Sequence, residues 1–254
     1  MEASTMIVGF LGTGRIAAPM VKALARGGHE VLVSERSRAV SESLAAEFEN
    51  VSILSNRDVV ARSEVVVLCL LASVAREELA SLPFRPEHKV VSVMAEIGLD
   101  EIAGLLGETR ELCVTIPMPF IDAGGCPLPV YPVSPVLEAL FGADNAVMQM
   151  DSESALQPHF AATAVTSTLL RELMVVRDWL AAQAGTRKEE AERYMVLLES
   201  GYLGALATNE GRTLEDELNH LATEGGLNAQ LLRHMTDAGT MDALESGLDG
   251  LVNR

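Results

Sequence analysis

Gly12, Gly14 and Ala17 stand in a G-x-G-x-x-A pattern where an apolar run, Ile7–Leu11, gives way to an amphipathic helical pattern from Ile16 to Arg26. These are the residue types a backbone needs in order to approach an anion. Gly12 permits a tight turn, Gly14 leaves room for a pyrophosphate beside the main chain, and the small Ala17 lets helix and strand pack closely. The phosphates would rest on free N–H groups at the helix N-terminus, where the helix dipole favours negative charge. Arg15 and Ile16 lie in the same turn and join the candidate contacts. A Gly27-Gly28 stop and a second strand, Glu30–Ser34, follow in order. That succession reads as a dinucleotide-binding βαβ unit.

The end of the second strand should meet the adenosine. Glu35 falls about 20 positions after Gly14, where a carboxylate accepts hydrogen bonds from the ribose hydroxyls and suits NAD. Arg36, Ser37 and Arg38 follow at once. A guanidinium beside a hydroxyl grips a 2′-phosphate and suits NADP. Ser34, Glu35, Arg36 and Ser37 are therefore candidate cofactor contacts for either dinucleotide.

Stepping outward, strand signals recur at Ile7–Leu11, Val31–Ser34, Val65–Leu70, Lys89–Val93 and Leu112–Thr115. Helical patterns lie between them at 16–26, 37–48, 57–62, 75–81 and 99–106. Such alternation predicts an α/β Rossmann-type domain, a doubly wound parallel sheet with helices on both faces. Ligands in such sheets lie beyond the carboxyl ends of the strands. Leu70, Leu71, Met94 and Ala95 join the cofactor contacts on that ground. Glu96 is either a proton donor or, the preferred reading, the polar rim of the next helix. A proline- and glycine-rich stretch over 116–132 then stops the alternation, since helix cannot persist through it. A short helix over 134–141 and a strand-like 146–150 follow. From about Ser152 the chain reads as helices near 153–183, 187–208, 213–223 and 227–237 with a short tail, an all-α second domain. The expected domains are 1–150 and 151–254.

The 254 residues carry a formal charge of −17, which repels a phosphate backbone and excludes nucleic acid as a partner. The longest apolar stretch, Val65–Ala75, is too short to cross a bilayer, so no membrane partner is expected. Three cysteines, Cys69, Cys113 and Cys126, cannot all pair, have no metal-type spacing and read as buried inert thiols. With no signal segment opening the chain, a cytoplasmic setting is expected. His159, His220 and His234 lie outside any motif, so no metal site is expected. No residue declares itself as catalytic acid. A hydrophobic content of 48% is high, and an oligomer interface is where the surplus would go.

The chain resembles the pyrroline-5-carboxylate reductase family over nearly its full length. The resemblance rests on Gly-Phe-Leu-Gly-Thr-Gly-Arg-Ile-Ala at 9–17, Ser-Glu-Arg-Ser at 34–37, Val-Val-Ser-Val-Met-Ala-Glu-Ile at 90–97, Ile116-Pro117, Lys-Glu-Glu-Ala at 188–191 and Ala-Thr-Glu-Gly-Gly-Leu-Asn at 222–228. It implies a nicotinamide-dependent reductase of a cyclic imine whose C-terminal helices interleave in a homodimer or higher multiple, with each site at the seam. It also tips the cofactor slightly toward NADP. The resemblance places substrate contacts at Glu96, Pro117, Met118, Thr223, Glu224, Gly225, Gly226 and Asn228, where Gly225-Gly226 would cradle a carboxylate before a helix. The departures fall in the substrate pieces: the family's Lys-Pro is Leu71-Ala72 here, its Asn is Met118, and its Ser-Pro-Gly-Gly-Thr-Thr is 223–228. A different small, anionic substrate is expected. The alternatives are an enzyme like the β-hydroxyacid dehydrogenases, which need a lysine in the interdomain helix where this chain has none, and a non-catalytic NAD(P)-binding sensor.

Overall fold

Runs such as Val65-Val-Val-Leu68 have no polar face, and in the computed structural model they become strands covered on both sides. The structure describes residues 5–94, 96–107, 111–208 and 211–252. The first unit alternates β1 (Ile7–Leu11), α1 (Ala17–Arg26), β2 (Glu30–Ser34), α2 (Arg38–Glu47), β3 (Val51–Leu54), α3 (Asn56–Arg62), β4 (Val65–Leu68), α4 (Ala72–Glu78), β5 (Lys89–Ser92), α5 (Leu99–Leu106) and β6 (Glu111–Thr115). It ends with β7 (Pro127–Tyr131), α6 (Pro135–Phe141) and β8 (Ala146–Gln149). The eight strands form one sheet in the order β3-β2-β1-β4-β5-β6-β7-β8. All neighbours are parallel except β6 and β7. Val65 and Val67 pack with Met20, Leu24 and Leu137 on one face, while Val66 and Leu68 pack with Leu79 and Ile102 on the other. The crossing between β1 and β4, where strand order reverses, is where such sheets open a crevice.

Several elements depart from the sequence reading. β3 is an additional strand, too short at four residues to show a period, and it stands at the sheet edge. β7 lies inside the proline-rich stretch and runs antiparallel to β6. Only Val130 and Tyr131 pair with β6, so the missing N–H groups of Pro127 and Pro129 cost that ladder nothing. The helix expected over 153–183 is broken into a 3-10 turn at Glu153–Ala155, α7 (Leu156–Ala162) and α8 (Val165–Ala184). Pro158 sits in the first turn of α7, where no intrahelical N–H is needed.

The chain divides into two compact units between Phe160 and Ala161. Glu153 explains why the first extends past Met150: its Oε1 accepts a 2.6 Å hydrogen bond from the Leu99 N–H at the head of α5. Leu156 is buried in the same core. The second unit continues with α8, α9 (Lys188–Ala207), α10 (Leu214–Leu221) and α11 (Leu227–Asp237), and the expected short tail is a full helix, α12 (Thr240–Val252). Among its described apolar residues only Ala161, Ala191 and Met195 are buried. Leu170, Trp179, Leu197, Leu203 and Leu231 each keep more than half their surface exposed.

Two histidines of the first unit are buried as neutral rings. His29 Nδ1 accepts from the Met6 N–H (3.2 Å) and His88 Nδ1 from the Arg85 N–H (2.9 Å). Burial holds both below the ordinary value of 6.5. A depressed histidine pKa means that the unfolded chain binds protons first, so the stability is fully present above 6.5 and is lost as pH falls through the folded-state value. The melting temperature is expected to drop between about pH 7 and pH 5, before most carboxylates titrate. The double variant His29→Gln/His88→Gln should flatten the curve in that window. An equal slope in wild type and variant would show that the two rings are not the cause.

Candidate dinucleotide site

At the end of β1 the chain turns at Gly12 with φ +92°, a backbone region that glycine occupies without strain. A side chain there would run into the Cys69 carbonyl, so the loops after β1 and β4 lie in close contact. The Gly12 N–H donates to Ser34 Oγ (2.9 Å). Ser41 Oγ in turn donates to the Ser34 carbonyl (2.8 Å), and Ser41 Oγ pairs with Thr13 Oγ1 (2.8 Å). Thr13, Ser34 and Ser41 are all buried. Three hydroxyls from the loop, β2 and α2 thus lock the turn in place.

Gly14 is different. Nothing lies within 4 Å of where its Cβ would stand, and the residue is exposed. Directly behind it α1 begins at Ala17, itself fully buried, with Ile16 in the cap position, no side-chain cap and no acidic residue in the first turn. The Ala18 N–H already donates to the Gly14 carbonyl (3.0 Å), and the N–H groups of the Gly14–Ala17 turn, at a helix head with no side-chain cap and beside a glycine with open space before it, fit a pyrophosphate. Arg15 is exposed at the same turn.

The other expected contacts distribute along the carboxyl edge of the sheet. Ser34 supports the turn through Gly12 rather than facing outward, because its hydroxyl and carbonyl are both engaged. Glu35 and Arg36 are exposed, and Ser37 stands in the cap position of α2 with its hydroxyl unused as a cap. Leu70 is buried while Leu71, at the cap of α4, is 73% exposed. Met94 is buried and its N–H donates to Ser92 Oγ (3.2 Å), so its backbone donor already has a partner. Ala95 lies outside the described residues. Glu96 is exposed.

Two of the expected substrate contacts turn inward. Pro117 is buried, and Met118 packs on the core with its N–H directed to Cys126 Sγ (3.4 Å). The thiols offer no nucleophile at neutral pH: burial raises Cys69 and Cys126 and pushes Cys113 up to about 12. Within the helical unit, Thr223 and Glu224 are exposed, and Gly225 takes φ +78°. The Gly226 N–H donates to the Thr223 carbonyl (2.9 Å), and Gly226 caps α11 with no side chain in that role. Asn228 ties the turn to α10, its Nδ2 donating to the Leu221 carbonyl (3.3 Å). Thr13, Ser41, Asn56 and Glu78 were not singled out from sequence. Only the 37/41 spacing of serines on one helical face hinted at Ser41. Among the described residues no cluster of three His, Cys, Asp or Glu side chains could hold a metal, and no helix is long and apolar enough to cross a membrane.

A Rossmann domain with an open glycine cradle, followed by a helical unit, defines the class. Residues 7–96 match the family model described as NADP oxidoreductase, coenzyme F420-dependent. The chain has the fold of the pyrroline-5-carboxylate reductases. It superposes on the enzyme from Coxiella burnetii with a TM-score of 0.83 at 18% identity, covering 99% of this chain and 97% of that one. The Streptococcus pyogenes enzyme gives 0.81 at 19% identity over 98% and 97%. The Plasmodium falciparum pyrroline carboxylate reductase, solved with NADP bound, gives 0.81 at 11% identity over 98% and 96%. No curated protein matches the chain by sequence.

Proposed function

We propose that this protein is an NAD(P)H-dependent reductase acting on a C=N, or C=O, bond of a small anionic molecule. The observation that carries the reading is the open space before Gly14 at the uncapped head of α1. The pyrophosphate would rest on the N–H groups of the Gly14–Ala17 turn, with the ribose and its 2′ position toward Glu35, Arg36 and Ser37 and the nicotinamide toward Leu70, Leu71 and Met94. Bound there, a reduced nicotinamide supplies a hydride. The chain supplies orientation, through a turn made rigid by Thr13, Ser34 and Ser41, and water exclusion, through the apolar Leu71 and Met94. An imine that arrives protonated needs no strong acid, which agrees with a site where no acid declares itself.

The turn at Thr223–Asn228, with two glycines before α11, is the proposed cradle for the substrate carboxylate. Because the helical unit buries so few of its apolar side chains, the protein is proposed to work as a homodimer or a multiple of one through these helices. Three free cysteines suit a reducing cytoplasm. A reading as a β-hydroxyacid dehydrogenase lacks its lysine, since α8 contains none.

Oxidation of NADH and NADPH with a panel of cyclic imines and 2-oxo acids is the test. Cofactor oxidation that depends on one of the anionic imines is expected. Cofactor binding without turnover of any compound would replace the reductase with a nucleotide sensor, and reduction of 3-oxo acids alone, added to the same panel, would restore the β-hydroxyacid dehydrogenase.

A further inference from the structure

The loop after β2 carries two guanidinium groups, and both have carboxylate partners. Arg38 Nε donates to Glu42 Oε1 one turn along α2 (2.8 Å). Arg36 Nη1 reaches to Glu78 Oε1 (3.4 Å), on the last residue of α4. The second oxygen of Glu78 accepts a 2.6 Å hydrogen bond from Nδ2 of Asn56, the first residue of α3. One carboxylate thus joins the segments that follow β2 and β3 to α4. Glu35 stands exposed beside Arg36. Around this loop three carboxylates, Glu35, Glu42 and Glu78, face two guanidinium groups.

A 2′-phosphate carries close to two negative charges and is gripped best by a guanidinium free to form two parallel hydrogen bonds. Arg36 is the candidate for that grip, and Glu78 competes for it. If Arg36 moves to a phosphate, the Glu78 carboxylate is left behind near a like charge. A 2′-hydroxyl makes neither demand: it needs no guanidinium, and Glu35 can accept its hydrogen bond.

We propose that Glu78 is a specificity-determining residue of the cofactor site, one that holds Arg36 away from a 2′-phosphate and so lowers the affinity for NADPH relative to NADH. The proposal rests on the nucleotide reading of the Gly12–Ala17 turn. It assigns to α4 a role at the adenosine end that the glycine pattern does not contain.

Glu78→Gln tests it. Glutamine keeps an oxygen for Asn56 and removes the charge, so the fold is preserved. By calorimetry at low ionic strength, the variant should bind NADPH about five- to tenfold more tightly, with NADH within about twofold of wild type. Most of the gain should vanish in an Arg36→Ala background, because the effect runs through that guanidinium. An unchanged or reduced NADPH-to-NADH affinity ratio in Glu78→Gln overturns the inference, as does a full gain without Arg36. In both of those cases NADH still binds, and the nucleotide reading stands. Binding of neither cofactor to wild type overturns that reading and this inference with it.

Discussion

A Gly14→Val protein is expected to fold like wild type and to bind neither NADH nor NADPH. The free protein has nothing within 4 Å of the position a Cβ would take, so the side chain meets no obstacle on folding. The same open space is the path of the pyrophosphate. A branched side chain there blocks the approach to the N–H groups of the Gly14–Ala17 turn, and the loss should be about a hundredfold or more, on the order of 3 kcal/mol. Gly12→Val is the contrasting variant. Its side chain would strike the Cys69 carbonyl, and its backbone at φ +92° disfavours any Cβ. That protein should lose stability as well as binding. Calorimetric titration with both cofactors and thermal melts of both variants separate the two effects. Undiminished affinity in Gly14→Val would remove the nucleotide from this turn.

Leu197→Asp is expected to break the proposed assembly. Leu197 lies on α9 with 60% of its surface exposed in the single chain, so an aspartate there is not buried by folding of one copy. In a two-fold dimer each substitution counts twice. Withdrawing two leucine side chains from an interface costs roughly 3–6 kcal/mol, a hundredfold or more in dimer dissociation. Light scattering should report a dimer or a multiple of it for wild type and a shift toward monomer for Leu197→Asp, with circular dichroism unchanged in shape. Reductase activity should fall with the dimer, because the proposed carboxylate cradle at Thr223–Asn228 depends on that assembly. A wild-type protein that stays monomeric at high micromolar concentration with full activity would overturn the proposed assembly and the shared site.

Much of the first unit was legible because its information is local. A strand buried on both faces must be apolar throughout, so Val65–Leu68 announces itself, and the turn from β1 to α1 must use small residues wherever a ligand or a neighbouring strand comes close. Other elements were not legible for equally physical reasons. Four residues at Val51–Leu54 are too few to show a period, and Pro127 and Pro129 argue against a strand until the extent of the β6 pairing is known. The site divides in the same way. Gly12, Gly14, Ala17 and the uncapped head of α1 follow from residue type and order. That Ser34 faces Gly12, that Asn228 ties α11 to α10, and that Glu78 joins Arg36 to Asn56 do not.

The sequence by itself determined the Rossmann pattern, the glycine turn from β1 to α1 and the change to helices after the sheet, because each is set by hydrophobic period and backbone sterics within a few residues. The tertiary structure alone decided which polar groups are engaged in holding the fold and which stay available to a ligand. A hydroxyl, amide or carboxylate looks the same in sequence whether its partner is solvent, a cofactor or a side chain 42 positions away, as for Arg36 and Glu78, and only the folded chain fixes that partner.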